Sequence, residues 1–510
     1  MPLRLIDTHD GRCYTNAEIV DILWQSNQWR ALLQEEQLPE NPIQYAEEAV
    51  QSSLAYVMLS HRWGKDEPTY QDVKDQSVYE MDAISPGATK LQRFCHAAAD
   101  RGFRWAWSDT CCIDKSSSSE LQESINSMFV WYRNSGLTII YLADVEVFSH
   151  GNLLRSDWFK RGWTLQEVLA PRTVQFFKND WSLLLGTVGD AKLNHKENKE
   201  LMEILEDVTG IDVQSLTYFK PGVESVRERL RWASGRITTK VEDTAYALLG
   251  IFDINLPILY GEKEKAYTRL QEEIMKNTDD VSLFDWVGQP SKINSCLASR
   301  PACFAGSPWI PPAAKNEGLS AVVGLVTGIV DGLTADVLHT ITTLLKDPPL
   351  GHFIANGRMN MRFFVYPVLS IAKVNPKRSS TMFQYTLQAG GLKSLVVETA
   401  QKLETTTGLL SPSVFCLARL WDNALLSSPK SNSDDHNSDK NPSDAMNLWD
   451  PNHEGMVARF AHWIQQPFIV QLMMAYPGGP FRRIQTEERI IAHPQDILLN
   501  FRAPRTLIVH

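Results

Sequence analysis

Ala55-Tyr56-Val57-Met58-Leu59-Ser60 is an unbroken apolar run that closes on the polar group Ser60-His61-Arg62, with Trp63-Gly64 behind it. Its length and continuity are those of a strand buried on both faces. Two more such runs follow, Phe103–Ser108 and Leu137–Leu142, and a fourth, Thr173–Phe177, comes after Pro171. Helical spacing separates them. Leu91, Phe94, Cys95 and Ala98 share a face within Lys90–Arg101; Leu121, Ile125, Met128, Phe129 and Tyr132 share another from Ser119 onward; Trp163–Leu169 reads as a third helix. Strand and helix in alternation predict right-handed crossovers and a parallel sheet covered on both faces. Ligands bind such sheets beyond the carboxyl ends of the strands. Those ends are Ser60-His61-Arg62, Asp109 and Asp144.

Further along, Glu200–Val208, Val223–Ser234, Val241–Phe252 and Glu262–Lys276 have helical spacing, with Ala266, Leu270 and Ile274 as the apolar stripe of the last. They are read as a helical subdomain packed on the sheet, or as a face for a partner. Past Trp286 the Pro308–Pro312 stretch reads as an extended connector, and Met361–Leu369, Met382–Leu387 and Leu392–Val397 have strand composition. Ser427–Ser443 is polar throughout and reads as a flexible segment. The expected organisation is an α/β domain over 1–190, a helical subdomain over 191–290, and a β-rich C-terminal domain over 291–510 containing the flexible segment 427–443.

At 510 residues, 43% hydrophobic and 22% charged, the chain has the balance of a folded soluble protein of two or three domains. Its net charge of −10 gives no global basic field, which disfavours nucleic acid as a partner held through phosphates. Seven cysteines, an odd number without repeating spacing, fit a reducing compartment. The start, Met1-Pro2-Leu3-Arg4-Leu5-Ile6, lacks the apolar centre of a secretion signal. Phe460–Phe481 is interrupted by Gln465-Gln466-Pro467 and Pro477-Gly478-Gly479-Pro480, which disfavours a membrane helix. A cytoplasmic location without a membrane span is expected.

Glu167 is the leading catalytic candidate. It lies in Trp163-Thr164-Leu165-Gln166-Glu167, whose apolar residues would desolvate it, and a carboxylate in a cleft stabilises the oxocarbenium-like charge of a breaking glycosidic bond. A surface or capping glutamate is the plainer reading. Ser60, His61 and Arg62 are candidates for holding phosphate or ribose, and Trp63 for packing or base stacking. Asp109 and Asp114 bracket Cys111-Cys112. A cysteine nucleophile with His61 as base, a metal set of Cys111, Cys112 and His96, and buried structural thiols are the alternatives there; adjacent cysteines lack the usual zinc spacing, and no metal is expected. Glu120 reads as a helix-start residue after Ser116–Ser119. No Walker sequence and no GxGxxG after a strand is present, which disfavours P-loop and Rossmann nucleotide sites.

Leu59–Gly64 (LSHRWG), Ser108–Asp114 (SDTCCID) and Arg161–Glu167 (RGWTLQE), in this order, resemble the heterokaryon-incompatibility (HET) domain of filamentous fungi. Gly235–Gly250 and Leu256–Glu262 resemble the segment that commonly follows it, so the resemblance spans about residues 1–290. Lys115 departs from the family, which often has Gln there. The resemblance implies a part in non-self recognition and the programmed cell death that follows fusion of incompatible hyphae. A more distant similarity, to Toll/interleukin-receptor (TIR) domains, rests on Val57–Arg62, on Ser156-Asp157-Trp158 through Glu167, and on Thr173–Phe177. It implies a flavodoxin/TIR-like fold and places Glu167 on the glutamate that cleaves NAD, with Ser60, His61 and Arg62 lining the nucleotide site, where Trp63, Asp109 and Asp114 are further candidate binding residues. On that reading NAD is a substrate, no bound cofactor is needed, and self-association or a protein partner in the death pathway accompanies activity. A non-enzymatic assembly module of the same pathway is the alternative.

Overall fold

A computed structural model describes residues 1–25, 53–82, 84–186, 193–278, 280–309, 352–354, 358–374, 382–403, 413–420, 466–495 and 505–510. The described chain divides into two compact units, Met1–Val223 with Trp232–Leu270, and Glu224–Arg231 with Gln271–His510. The helical stretch expected as a separate subdomain is thus divided between them. The segment 427–443 and most of the proline-rich connector lie outside the described residues.

The first unit is built on a six-stranded sheet. Its strands are β1 (Arg4–Asp7), β2 (Cys13–Thr15), β3 (Tyr56–His61), β4 (Trp105–Trp107), β5 (Leu137–Tyr141) and β6 (Val174–Phe177), ordered β2-β1-β4-β3-β5-β6. The four runs read from the sequence form the parallel part, with Tyr56 opposite Trp105, Leu59 opposite Ile139 and Ile140 opposite Phe176. Every residue of β3, β4 and β6 is buried, the condition that makes such strands continuous apolar runs. The sheet is mixed rather than purely parallel: the hairpin β1/β2 adds to its edge, and β1 runs antiparallel to β4. These strands have four and three residues, too short for a periodicity to register.

Four helices of the first unit are α1 (Asn16–Gln25), α2 (Pro86–Ala99), α3 (Ser118–Arg133) and α4 (Thr164–Leu169). α2 buries Leu91, Phe94, Cys95 and Ala98, and α3 buries Ile125, Met128, Phe129 and Tyr132, the stripes the sequence spacing marks out. Ser85 caps α2 by accepting from Ala88 N–H, and Ser117 caps α3 by accepting from Glu120 N–H. Glu120 is no cap: its carboxylate receives Arg4 and the backbone N–H of Asp114. The parallel strands run second, first, third, fourth in space. The order reverses between β3 and β5, and a doubly wound sheet opens its ligand crevice at the carboxyl ends beside such a reversal.

Val241–Phe252, expected as one helix, is two short ones, Asp243–Tyr246 and Leu249–Phe252. Leu248 N–H reaches back only to Ala245 O, which tightens the chain and interrupts the α ladder.

The second unit contains an antiparallel sheet of nine strands: β7 (His352–Ile354), β8 (Arg358–Lys373), β9 (Phe383–Ala389), β10 (Leu395–Thr399), β11 (Val414–Leu420), β12 (Phe468–Ala475), β13 (Arg482–Arg483), β14 (Ile490–Ala492) and β15 (Arg505–Val509). The β-rich expectation is met. Burial alternates along β9 and β10, so one face carries a core that includes Tyr366, Tyr385, Leu387, Leu417 and Leu472. Pro367 sits inside β8 where pairing passes from β11 to β9 next to a bulge at Val368/Ser370, a position that tolerates a residue without an N–H.

Candidate functional site

Ser60 and His61 are the last residues of β3, paired opposite Ile140 and Tyr141. Alternation along the strand sends their side chains to opposite faces. Ser60 is fully buried, and its hydroxyl donates to Glu167 Oε2 at 2.5 Å while accepting from Trp158 Nε1 at 3.0 Å. Glu167 belongs to α4, a six-residue helix in which every side chain is buried. The Thr164 hydroxyl anchors its first turn to Trp158 O at 2.7 Å and Arg161 O at 3.0 Å. Beyond its other end, Lys196 Nζ donates to Pro171 O at 2.7 Å.

Burial pushes the Glu167 carboxyl up to about 8, and the charge of Asp109 adds to this; the Ser60 hydrogen bond, Arg161 and Arg236 oppose it. Glu167 is therefore mostly protonated at neutral pH. Asp109 goes the other way. Its own burial would raise it, but the hydrogen bond from His61, the Lys115 ammonium and the hydrogen bond from Trp63 hold it below the usual carboxylate range. Two carboxyls with separated titrations are the pattern of a site able to hold one neutral and one ionised.

His61 Nε2 lies 3.2 Å from Asp109 Oδ1. Burial and the Lys90 ammonium lower the imidazole, so it is neutral, and with Asp109 ionised the proton is assigned to Nε2. Nδ1 is then an acceptor, and among the described residues nothing donates to it. Trp63, 44% exposed, donates through Nε1 to Asp109 Oδ2 at 2.8 Å, and Lys115 Nζ stands 4.0 Å over its ring. The turn carrying Trp63 is held by Glu67, which accepts from Gly64 N–H at 2.6 Å and pairs with Lys90.

Ser60, His61, Trp63, Asp109 and Glu167 thus gather at the carboxyl end of β3. Arg62 is half exposed and pairs with Asp157 at 2.7 Å. Asp114 makes its side-chain bonds within its own turn, to Ser116 N–H at 2.9 Å and Ser116 Oγ at 2.5 Å. Asp144 accepts from Ser156 Oγ and Asp157 N–H, both at 2.7 Å. Cys111 and Cys112 are buried, and burial first, then neighbouring Cys111 and Cys13, pushes the Cys112 thiol far up, which opposes a thiolate nucleophile. His96 is exposed and stacks on Tyr79, away from a ligand role with those thiols. Among the described residues no three of His, Cys, Asp and Glu are arranged to hold a metal ion.

Two members of the site were not singled out from the sequence. Trp158 and Arg236 both lie within quoted blocks, but nothing in local spacing marks an indole that reaches a strand serine or a guanidinium that reaches a distant helix. Arg236 Nη1 donates to Arg161 O at 2.9 Å and Thr164 Oγ1 at 3.0 Å.

Fold and site together define a doubly wound α/β domain with a buried carboxyl at its carboxyl edge. Residues 56–152 match the family model described as "Heterokaryon incompatibility protein (HET)", and the chain carries a heterokaryon-incompatibility domain. The chain is also similar to "Vegetative incompatibility protein HET-E-1" of Podospora anserina, 42% identical over 243 residues, which is 45% of this chain and 17% of that protein. It therefore spans less than a fifth of this relative's length. No solved structure matches the chain significantly. The family match contains the first two blocks and ends before Glu167.

Proposed function

We propose that this chain acts in heterokaryon incompatibility, triggering cell death on non-self recognition, and that its first unit does so by hydrolysing the nicotinamide–ribose bond of NAD. The observation that carries the chemistry is the Glu167 carboxyl, buried within reach of the Asp109 charge and bonded by Ser60, which Trp158 holds in turn, at the edge where the strand order reverses. The flavodoxin/TIR-like kinship read from the sequence agrees with the 2-1-3-4 order of the parallel strands.

A nicotinamide nucleotide is cationic at the pyridinium. Its approach favours the ionised form of Glu167 and expels the proton. As the C–N bond breaks, nicotinamide leaves with the electron pair, and the positive charge passes to the ribose, where the carboxylate stabilises it. Water then adds to the anomeric carbon and releases a proton. Arg62 is available for the phosphates because its exposed pair with Asp157 is worth little and is readily exchanged.

The purified full chain is expected to consume NAD, and Glu167→Ala to abolish this while circular dichroism stays native. Equal turnover by a folded Glu167→Ala protein would remove the glycohydrolase reading. Cell death that persists in that variant without loss of NAD would favour assembly alone.

A further inference from the structure

Gly235–Thr238 lies alongside the third block. Ile237 N–H donates to Lys160 O at 2.7 Å, Gly162 N–H donates to Ile237 O at 2.9 Å, and Arg161 and Ile237 form a parallel bridge. The approach is close enough that a Cβ on Gly162 would stand 2.5 Å from Thr238 Cγ2. This pairing sets Arg236 against the first turn of α4. Besides the Arg161 carbonyl and the Thr164 hydroxyl, its guanidinium reaches Trp232 O through Nε at 3.2 Å. Thr164 stands three residues before Glu167, on the same helix face one turn away.

We propose that Arg236 is a positioning residue of the Glu167 site, supplied by a segment outside the family match. It clamps the first turn of α4 through Thr164 and the Arg161 carbonyl, and its positive charge favours the carboxylate of Glu167. The planar guanidinium suits this because it serves three acceptors at once, two in Arg161–Thr164 and one at Trp232. Burial lowers Arg236 to about 10, with Glu167 opposing the shift, so it stays charged at neutral pH. The other titratable groups around Glu167 are Asp109, Arg161, His61 on β3, Tyr132 on α3 and, past the far end of α4, Lys196. The inference rests on the glycohydrolase reading only for its effect on turnover; the placement of the carboxyl is independent of it.

Infrared difference spectra of the full chain against Glu167→Gln isolate the Glu167 carboxyl band, whose titration midpoint is the readout. Arg236→Gln is expected to raise that midpoint by about a unit, as loss of a nearby opposite charge does. Arg236→Lys keeps the charge but not the fork; it is expected to raise the midpoint less, and it supplies the measurement if the glutamine variant does not fold. A midpoint equal to wild type in every natively folded Arg236 variant overturns the proposal. NAD turnover recorded on the same samples separates the two ideas. Absence of turnover in wild type removes the glycohydrolase and leaves the infrared result to decide on Arg236.

Discussion

Glu167 binds a proton in the native state that the unfolded chain releases. The unfolded carboxyl titrates near 4.5 and the native one at about 8, so its contribution to stability is fully present below the first value and is lost as pH rises through the second. The loss is on the order of 4 kcal/mol. Glu167→Gln keeps the shape and removes the titration. Urea unfolding between about pH 5 and pH 9 is expected to show wild type losing stability relative to the variant by that order. On the proposed NAD chemistry the same proton governs turnover, because the carboxylate is the competent form. Wild-type kcat/KM for NAD is expected to climb with pH and to level off above about 8, the value for the free enzyme. A flat profile would count against Glu167 as the reacting group. At this scale the sequence revealed that Glu167 would be desolvated, since its neighbours are apolar. It did not reveal Ser60, Asp109 or Arg236 as its partners, because each arrives from a separate segment.

Close approach between elements shows most clearly at Gly250. A Cβ there would stand 2.1 Å from Phe129 Cβ on α3, so Leu249–Phe252 packs against that helix only because residue 250 has no side chain. Gly250→Ala is expected to destabilise the first unit by about 1–3 kcal/mol, measured by thermal unfolding. In the second unit, Asp285 receives Arg227 at 2.7 Å and Arg489 at 2.6 Å, with Arg227 almost wholly buried. Asp285→Ala leaves both guanidiniums without that carboxylate and is expected to cost about 3–5 kcal/mol in denaturant unfolding. Elements were legible where one period governed a long run: β3, β5, α2 and α3 fall close to their expected bounds. The hairpin β1/β2 was too short for any period. The break at Leu248 escaped because apolar spacing continues across it while the hydrogen bonding does not.

At the scale of the whole molecule, the proposed incompatibility role and the proposed NAD chemistry make one joint expectation. Expression of the full chain in fungal cells should lower cellular NAD before growth stops, and Glu167→Ala should prevent both. All seven cysteines are free, and all but Cys13 are buried. Cys111→Ala and Cys112→Ala are therefore expected to retain NAD turnover in their folded fractions; loss of turnover in a natively folded variant would revive a thiol mechanism. Among the described residues no helix is long and apolar enough to cross a membrane. The amino-acid sequence by itself determined the alternation of buried strands and amphipathic helices, the β-rich second half and the family blocks, because these are written in local period and composition. Only the tertiary structure decided that Ser60 bonds Glu167 with Trp158 behind it, and that the charges of Asp109 and Arg236 act on that carboxyl. Desolvation and charge coupling depend on distances between segments far apart in the chain, and those distances exist only once the sheet and its helices have packed.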